Sequence, residues 1–184
     1  MSDVADRWRI IAGTFTERTR AVPTDAWAHP SPCEGWTARD IVAHLVEWVP
    51  PFLESGAGLT INAIPPVDAD PANAWVHLSD KIQAILDADN IADQIFDHPM
   101  AGRHPLDHAI DRFILGDVLI HTWDLSRATG QNEQLDPTTV DSMLNELATL
   151  GDLLQESGHY GPKVAVTADA DQLTRLLALT GRQT

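Results

Sequence analysis

The stretch PLDHAIDRFILGDVLIHTWDLSRATG, Pro105–Gly130, decides the fold class. Pro105 supplies the fixed φ that suits a helix's first turn, and Gly130 stands where a helix closes in the left-handed region. Between them Ile110, Ile114, Asp117, His121 and Leu125 step by four, three, four and four, the period of one helix face. The spacing predicts a helix from Pro105 to Ala128. Two polar side chains interrupt its apolar stripe. With about 100° between successive residues, Asp117 and His121 lie about 40° apart, one turn above the other, among residues that must face a core.

Working outward, the helical period recurs. Val4, Trp8, Ile11, Phe15 and Val22 share one face of a first helix, Asp3 to Ala21, ended before Pro23. Thr37 and Asp40 form a capping box with Asp in place of Glu. They open a second helix that carries Ile41, His44, Leu45 and Trp48 on one face, and Pro50-Pro51 are expected to end or kink it. After a long loop (56–71), a third helix from Pro71 to Asp89 turns Trp75, Leu78, Ile82 and Ile85 inward. Residues 91–104 have no helical period, and Gln94-Ile95-Phe96 could form at most a short strand. Downstream, Asp136 and Pro137 suit the N-cap and first position of a helix burying Val140, Met143, Leu144, Leu147, Leu150 and Leu154. A last helix, Gln172 to Leu179, stops before Gly181. The expectation is an all-α fold: a four-helix bundle with additional C-terminal helices, forming a single domain over residues 1–184.

Composition narrows the function. At 184 residues the chain suits one domain and can bury about 70% of its extended surface, enough for a core without disulfides. Twenty-seven acidic against 12 basic residues give a net charge of -15. Phosphate backbones and anionic lipid surfaces would repel such a chain, so neither nucleic acid nor membrane is an expected partner. Cys33 is the lone cysteine, no run of apolar residues approaches membrane-spanning length, and MSDVADRWRIIAGTF lacks the apolar core of a secretion signal. A cytoplasmic location is expected.

The chemistry concentrates on the interrupted stripes. His44 lies between Ile41 and Trp48, on the buried side of the second helix, while Asp117 and His121 interrupt the fourth. A buried carboxylate and imidazole are costly without partners. Two readings satisfy them. Either two imidazoles and one carboxylate form a zinc-type ligand set with an open position, or Asp117 and His121 hydrogen-bond each other and His44 is a satisfied core histidine. A di-iron or di-manganese bundle is the weaker reading, because its repeated Glu-x-x-His and two further inward carboxylates are missing. Asp124 is placed to accept from a ligand imidazole, and Trp123 to pack. Glu47, one turn from His44, reads as a solvated charge. Cys33 sits in a loop, too far from the Thr37 cap for a strong dipole effect. His104 and His108 have i, i+4 spacing that Pro105 spoils, and His29, His77, His98 and His159 occupy polar or Pro-rich surroundings.

Three stretches carry a resemblance: Pro32-Cys33-Glu34-Gly35-Trp36-Thr37-Ala38-Arg39-Asp40-Ile41-Val42-Ala43-His44, Gly116-Asp117 through Thr129-Gly130, and Tyr160-Gly161-Pro162 with Leu176 through Arg182. Together they resemble the actinobacterial metal-binding family related to the N-terminal domain of mycothiol-dependent maleylpyruvate isomerase, among the DinB-like four-helix bundles. The resemblance implies a divalent metal held by His44, Asp117 and His121, with Asp117 one methylene shorter than the isomerase's Glu. Zinc is the ion expected, and the same donors suit nickel or iron. It further implies a transferase or isomerase that uses a low-molecular-weight thiol, mycothiol or similar, against a small electrophile. The isomerase has a further C-terminal domain contributing to its active site, so maleylpyruvate isomerisation itself is not expected to carry over. The alternative is a non-catalytic metal-binding bundle with a structural, small-molecule-binding or stress-response role. A homodimer is compatible with either. Any positive charge for an anionic substrate is expected from Arg127 or Arg112.

Overall fold

The computed structural model describes residues 3–151 and 160–184. Four long helical segments enclose the core: α1 (Asp3–Ala21), α2 (Ala38–Ala57), α3 (Pro71–Leu86), and a final run built from α4 (Leu106–Ala109), a π-helical turn (Ile110–Leu115) and α5 (Gly116–Thr129). Helix α1 packs on α3 and α5, and α2 packs on the same two, so α1 and α2 lie across the bundle from each other. The fold is an all-α four-helix bundle. Two smaller helices, α6 (Pro137–Ala148) and α7 (Gln172–Leu179), pack against each other as C-terminal additions.

Local signals account for most boundaries. Thr37 accepts from the Asp40 backbone N–H while the Asp40 carboxylate accepts from the Thr37 N–H at 2.7 Å, the reciprocal bonds of a capping box. Asp70, Asp136 and Asp171 cap α3, α6 and α7 in the simpler one-way manner. Gly130, at φ +68°, closes α5 as its position in the sequence suggests.

Three features depart from the sequence reading. Of the two outcomes expected at Pro50-Pro51, an end to the helix is corrected: helix α2 continues to Ala57. Val49 and Leu53, both fully buried, flank the prolines, while Pro51 is exposed and Pro50 only half-buried. Core packing on one face therefore offsets the two missing N–H donors. The helix through residues 106–129 is not uniformly α. The π-helical turn re-phases it, so consecutive Ile114, Leu115 and Gly116 are all buried and Asp117 follows directly. Finally, residues 95–105 form an antiparallel hairpin, Ile95–His98 with Gly102–Pro105, where a single short strand was the most expected. Its second strand, GRHP, has no β signal of its own. The hairpin is held from outside, by fully buried Phe96 packed against Gly56 of α2, where a Cβ would overlap the ring.

In α6, Val140, Met143 and Leu147 are buried and Leu144 is half-buried, as is Leu150 just beyond its end, whereas Leu154 and His159 lie outside the described residues. Helix α3 ends at Leu86, with Ile85 half-buried. Helix α5 is buried on nearly all sides from Val118 to Ser126. Its hydroxyls adapt to that setting: Thr122 and Ser126 each donate to the carbonyl four residues back, Val118 and Thr122, at 2.7 Å.

Candidate metal centre

Helix α5 delivers Asp117 and His121 from successive turns, and α2 delivers His44 from across the interface. Their geometry is compact. His44 Nε2 is 3.1 Å from Asp117 Oδ2, and His121 Nε2 is 3.4 Å from Asp117 Oδ1. One donor atom from each of the three lies within 4.8 Å of the others. Trp48, one turn beyond His44, donates its indole N–H to Asp117 Oδ2 at 3.0 Å. The indole of Trp36 covers both imidazoles, 5.0 Å from the His44 ring and 5.9 Å from the His121 ring.

A second layer lies behind His121. Its Nδ1 donates to Asp124 Oδ2 at 2.9 Å, and the Asp124 side chain is completely buried. Arg182, from the tail after α7, grips the same carboxylate with two contacts, Nη2 to Oδ2 at 2.8 Å and Nε to Oδ1 at 3.2 Å. Cys33 completes the layer, its thiol 3.4 Å from Asp124 Oδ2 and its sulfur 3.5 Å from Arg182 Nη2. The loop carrying Cys33 and Trp36 is pinched shut by the bond from the Ser31 N–H to the Trp36 carbonyl, 2.8 Å, which holds both side chains over the end of α5.

These contacts set the protonation states of the metal-free protein. Burial opposes charge on Asp117, yet the His121 charge and the bonds from His121 and His44 outweigh it and hold the carboxyl well below its usual range. Burial likewise opposes a charged His121, but Asp117's charge and hydrogen bond, helped by Asp124, raise it well above the usual imidazole value. Asp124 is lowered against its own desolvation by His121 and Arg182. Tyr160, near enough to feel Asp117, is pushed up to about 12 by burial and that negative charge.

The donor set fits a divalent ion. Both imidazoles turn Nε2 toward the Asp117 carboxylate, and His121 commits its other nitrogen to a buried carboxylate, the arrangement that orients a metal-ligating histidine. The structure thus brings together His44, Asp117 and His121, and puts Asp124 where a ligand-orienting acceptor is expected. It keeps other candidates apart. Arg127 pairs with Glu133 at 3.0 Å and Arg112 with Glu146 at 3.2 Å, and neither makes a hydrogen bond or ion pair with His44, Asp117 or His121 among the described residues. Their side chains reach those local carboxylates first. His104 bonds the Ala101 carbonyl and packs on Phe113, His108 and His29 are exposed, His98 accepts from two backbone N–H groups of its turn, and His77 meets the Asn62 carbonyl. Glu47 is exposed.

Sequence reasoning missed three contributors. Trp48 was legible as a stripe residue, and its i+4 spacing from His44 could have suggested a donor to the same group. Trp36 stands next to the helix cap, which signals position but not role. Arg182 closes one of the stretches that carry the resemblance, but nothing local signals its role, 58 residues from the carboxylate it holds.

Fold and site together define a DinB-like helical bundle with a two-histidine, one-carboxylate cluster at the α2–α5 interface. The chain belongs to the family described as the mycothiol maleylpyruvate isomerase N-terminal domain, whose model matches residues 8–126. It is similar to two uncharacterized proteins of Mycobacterium tuberculosis, one from strain CDC 1551 and one from strain H37Rv. Each is 28% identical over 181 residues, covering 88% of this chain and 89% of the relative. No solved structure matches. Among the described residues, no helix is long and apolar enough to cross a membrane.

Proposed function

We propose that this protein holds a divalent metal ion, zinc by preference, between His44, Asp117 and His121, and uses it to bind a low-molecular-weight thiol of the mycothiol type for transfer or isomerisation of a small electrophile. The observation that carries this reading is the convergence of two imidazole nitrogens and a carboxylate oxygen within 4.8 Å, with Asp124 behind His121. Nickel or iron would suit the same donors. A metal bound there supplies Lewis acidity, keeping a coordinated thiol as the nucleophilic thiolate at neutral pH.

The chain's own residues do the rest. Trp48 fixes the Asp117 carboxylate through Oδ2, and Asp124 holds the His121 Nδ1 proton, so that Nε2 is the nitrogen presented to Asp117. Loading requires His121 to give up its Nε2 proton, so binding weakens as pH falls. Trp36 covers the imidazoles and limits water on that side.

A second reading, a non-catalytic bundle, has an observation in its favour: Asp117 already has protein donors on both oxygens. Metal analysis followed by thiol titration of the cobalt-substituted protein separates the two. A sulfur-to-metal charge-transfer band that disappears in His121→Ala supports the thiol reading. An unchanged spectrum at millimolar thiol leaves the non-catalytic bundle.

A further inference from the structure

Among the described residues, Arg182 is the one arginine or lysine in the second layer, and nothing about metal ligation by itself requires it. Only 11% of the side chain is exposed, and its donors are occupied within the protein: two on Asp124, and Nη1 on the Thr180 carbonyl at 2.9 Å. With Nη2 also 3.5 Å from the Cys33 sulfur, the Arg182 guanidinium is directed mainly at protein atoms. What it does is grip both oxygens of a carboxylate that in turn holds Nδ1 of His121. A bidentate guanidinium fixes the plane of a carboxylate as well as its position.

The tail is built to deliver this contact. Thr180 is buried, and the Arg182 backbone N–H bonds the Leu177 carbonyl at 2.8 Å. Gly181, at φ +86°, passes so close to Gly161 that a Cβ on it would lie 2.7 Å from the Gly161 Cα. No other residue type fits that crossing without moving the tail.

We propose that Arg182 is a positioning residue for the metal centre: by clamping Asp124 it sets the orientation of His121, and so makes metal affinity depend on docking of the C-terminal tail. This rests on the metal-binding reading above, and reaches from it to a segment outside the residues that match the family model. The chain of contacts runs from the tail, through Arg182 and Asp124, to His121 Nδ1, with Nε2 on the far side of the same ring. Loss of an outer hydrogen-bond partner commonly weakens a metal site by about 10–100-fold. Arg182→Ala acts one contact further out than Asp124 and is expected at the lower end of that range, about 10-fold, whereas Arg182→Lys, which keeps the charge but cannot bridge both oxygens, is expected between Ala and wild type.

The test is competitive cobalt(II) titration of the full chain, wild type against Arg182→Ala and Arg182→Lys. It is paired with proton NMR of the zinc-loaded proteins to follow the His121 Nδ1–H. The proposal predicts a downfield, slowly exchanging Nδ1 proton in wild type that shifts or disappears in Arg182→Ala together with the affinity loss. A merely structural arginine would lower the melting temperature of the metal-free variant and leave affinity and the Nδ1 proton unchanged, and that result overturns the proposal. If Arg182→Ala does not fold, Arg182→Lys decides, and wild-type affinity there likewise overturns it. Wild-type protein that binds no cobalt at all refutes the metal reading and this inference with it. Cobalt bound equally by wild type and variants refutes the inference alone.

Discussion

Replacing Asp117 with Asn keeps the side chain's shape and removes its charge, so it probes the centre with little change in packing. In the metal-free protein the carboxylate accepts from Trp48 at 3.0 Å and faces the two imidazoles at 3.1 and 3.4 Å. Removing one member of a buried ion pair costs about 3–5 kcal/mol. Two facts reduce that figure here: the Asp117 side chain is 20% exposed, and Asp124 remains 2.9 Å from the other nitrogen of His121. We place the loss at about 2 kcal/mol. For a chain of this size each kcal/mol moves the melting temperature by about 2–4 °C, so the variant should melt roughly 4–8 °C lower in chelator. Metal gives a second arm. At free cobalt of about 100 times Kd the wild type gains about 2.7 kcal/mol, or roughly 5–11 °C, and Asp117→Asn should gain almost none of it. Thermal melts followed by circular dichroism, with chelator and with cobalt, read both arms. A variant that melts with wild type in chelator and gains as much from cobalt refutes the reasoning. A loss in chelator with no cobalt shift in wild type would identify the cluster as internally paired only.

The pH dependence of metal-free stability has a fixed sign. Asp117 and Asp124 are lowered, so their contribution is present above the ordinary carboxylate pKa and lost as pH falls through their folded values; His121 is raised, so its contribution is full below the ordinary imidazole value and lost as pH rises through its folded value. The stability difference between wild type and Asp117→Asn should therefore peak between about pH 4 and 6.5 in urea titrations with chelator, and a difference that grows steadily toward pH 9 would contradict the assignment. Cys33→Ser should leave metal stoichiometry unchanged, since the ligands we propose are His44, Asp117 and His121. Loss of the metal equivalent in that variant would shift the site to the neighbouring Cys33, His121 and Asp124 group. Gly56→Ala should destabilise the fold by about 1–3 kcal/mol, because the added methyl overlaps the Phe96 ring that seats the hairpin. An unchanged denaturation midpoint would mean the hairpin does not pack there.

The sequence by itself determined the helical class and the identity of the clustered groups. Apolar spacing in α1 and α3, the Thr37–Asp40 box and the Asp136, Pro137 and Gly130 punctuation are local signals, and local signals survive without knowing the partner surface. The same period exposed His44, Asp117 and His121, because a polar group in an apolar stripe is visible wherever the stripe is. It could not choose between ligation and mutual hydrogen bonding, since spacing along one helix says nothing of distances across two. Tertiary structure decided three other features. Helix α2 runs through Pro50-Pro51 because Val49 and Leu53 are buried around them. The strand GRHP forms because Phe96 seats its hairpin on Gly56. Arg182 meets Asp124 because the tail crosses Gly161 at Gly181. Each outcome balances a local preference against burial or charge compensation contributed by residues distant in sequence, and that balance exists only once the chain has brought them into contact.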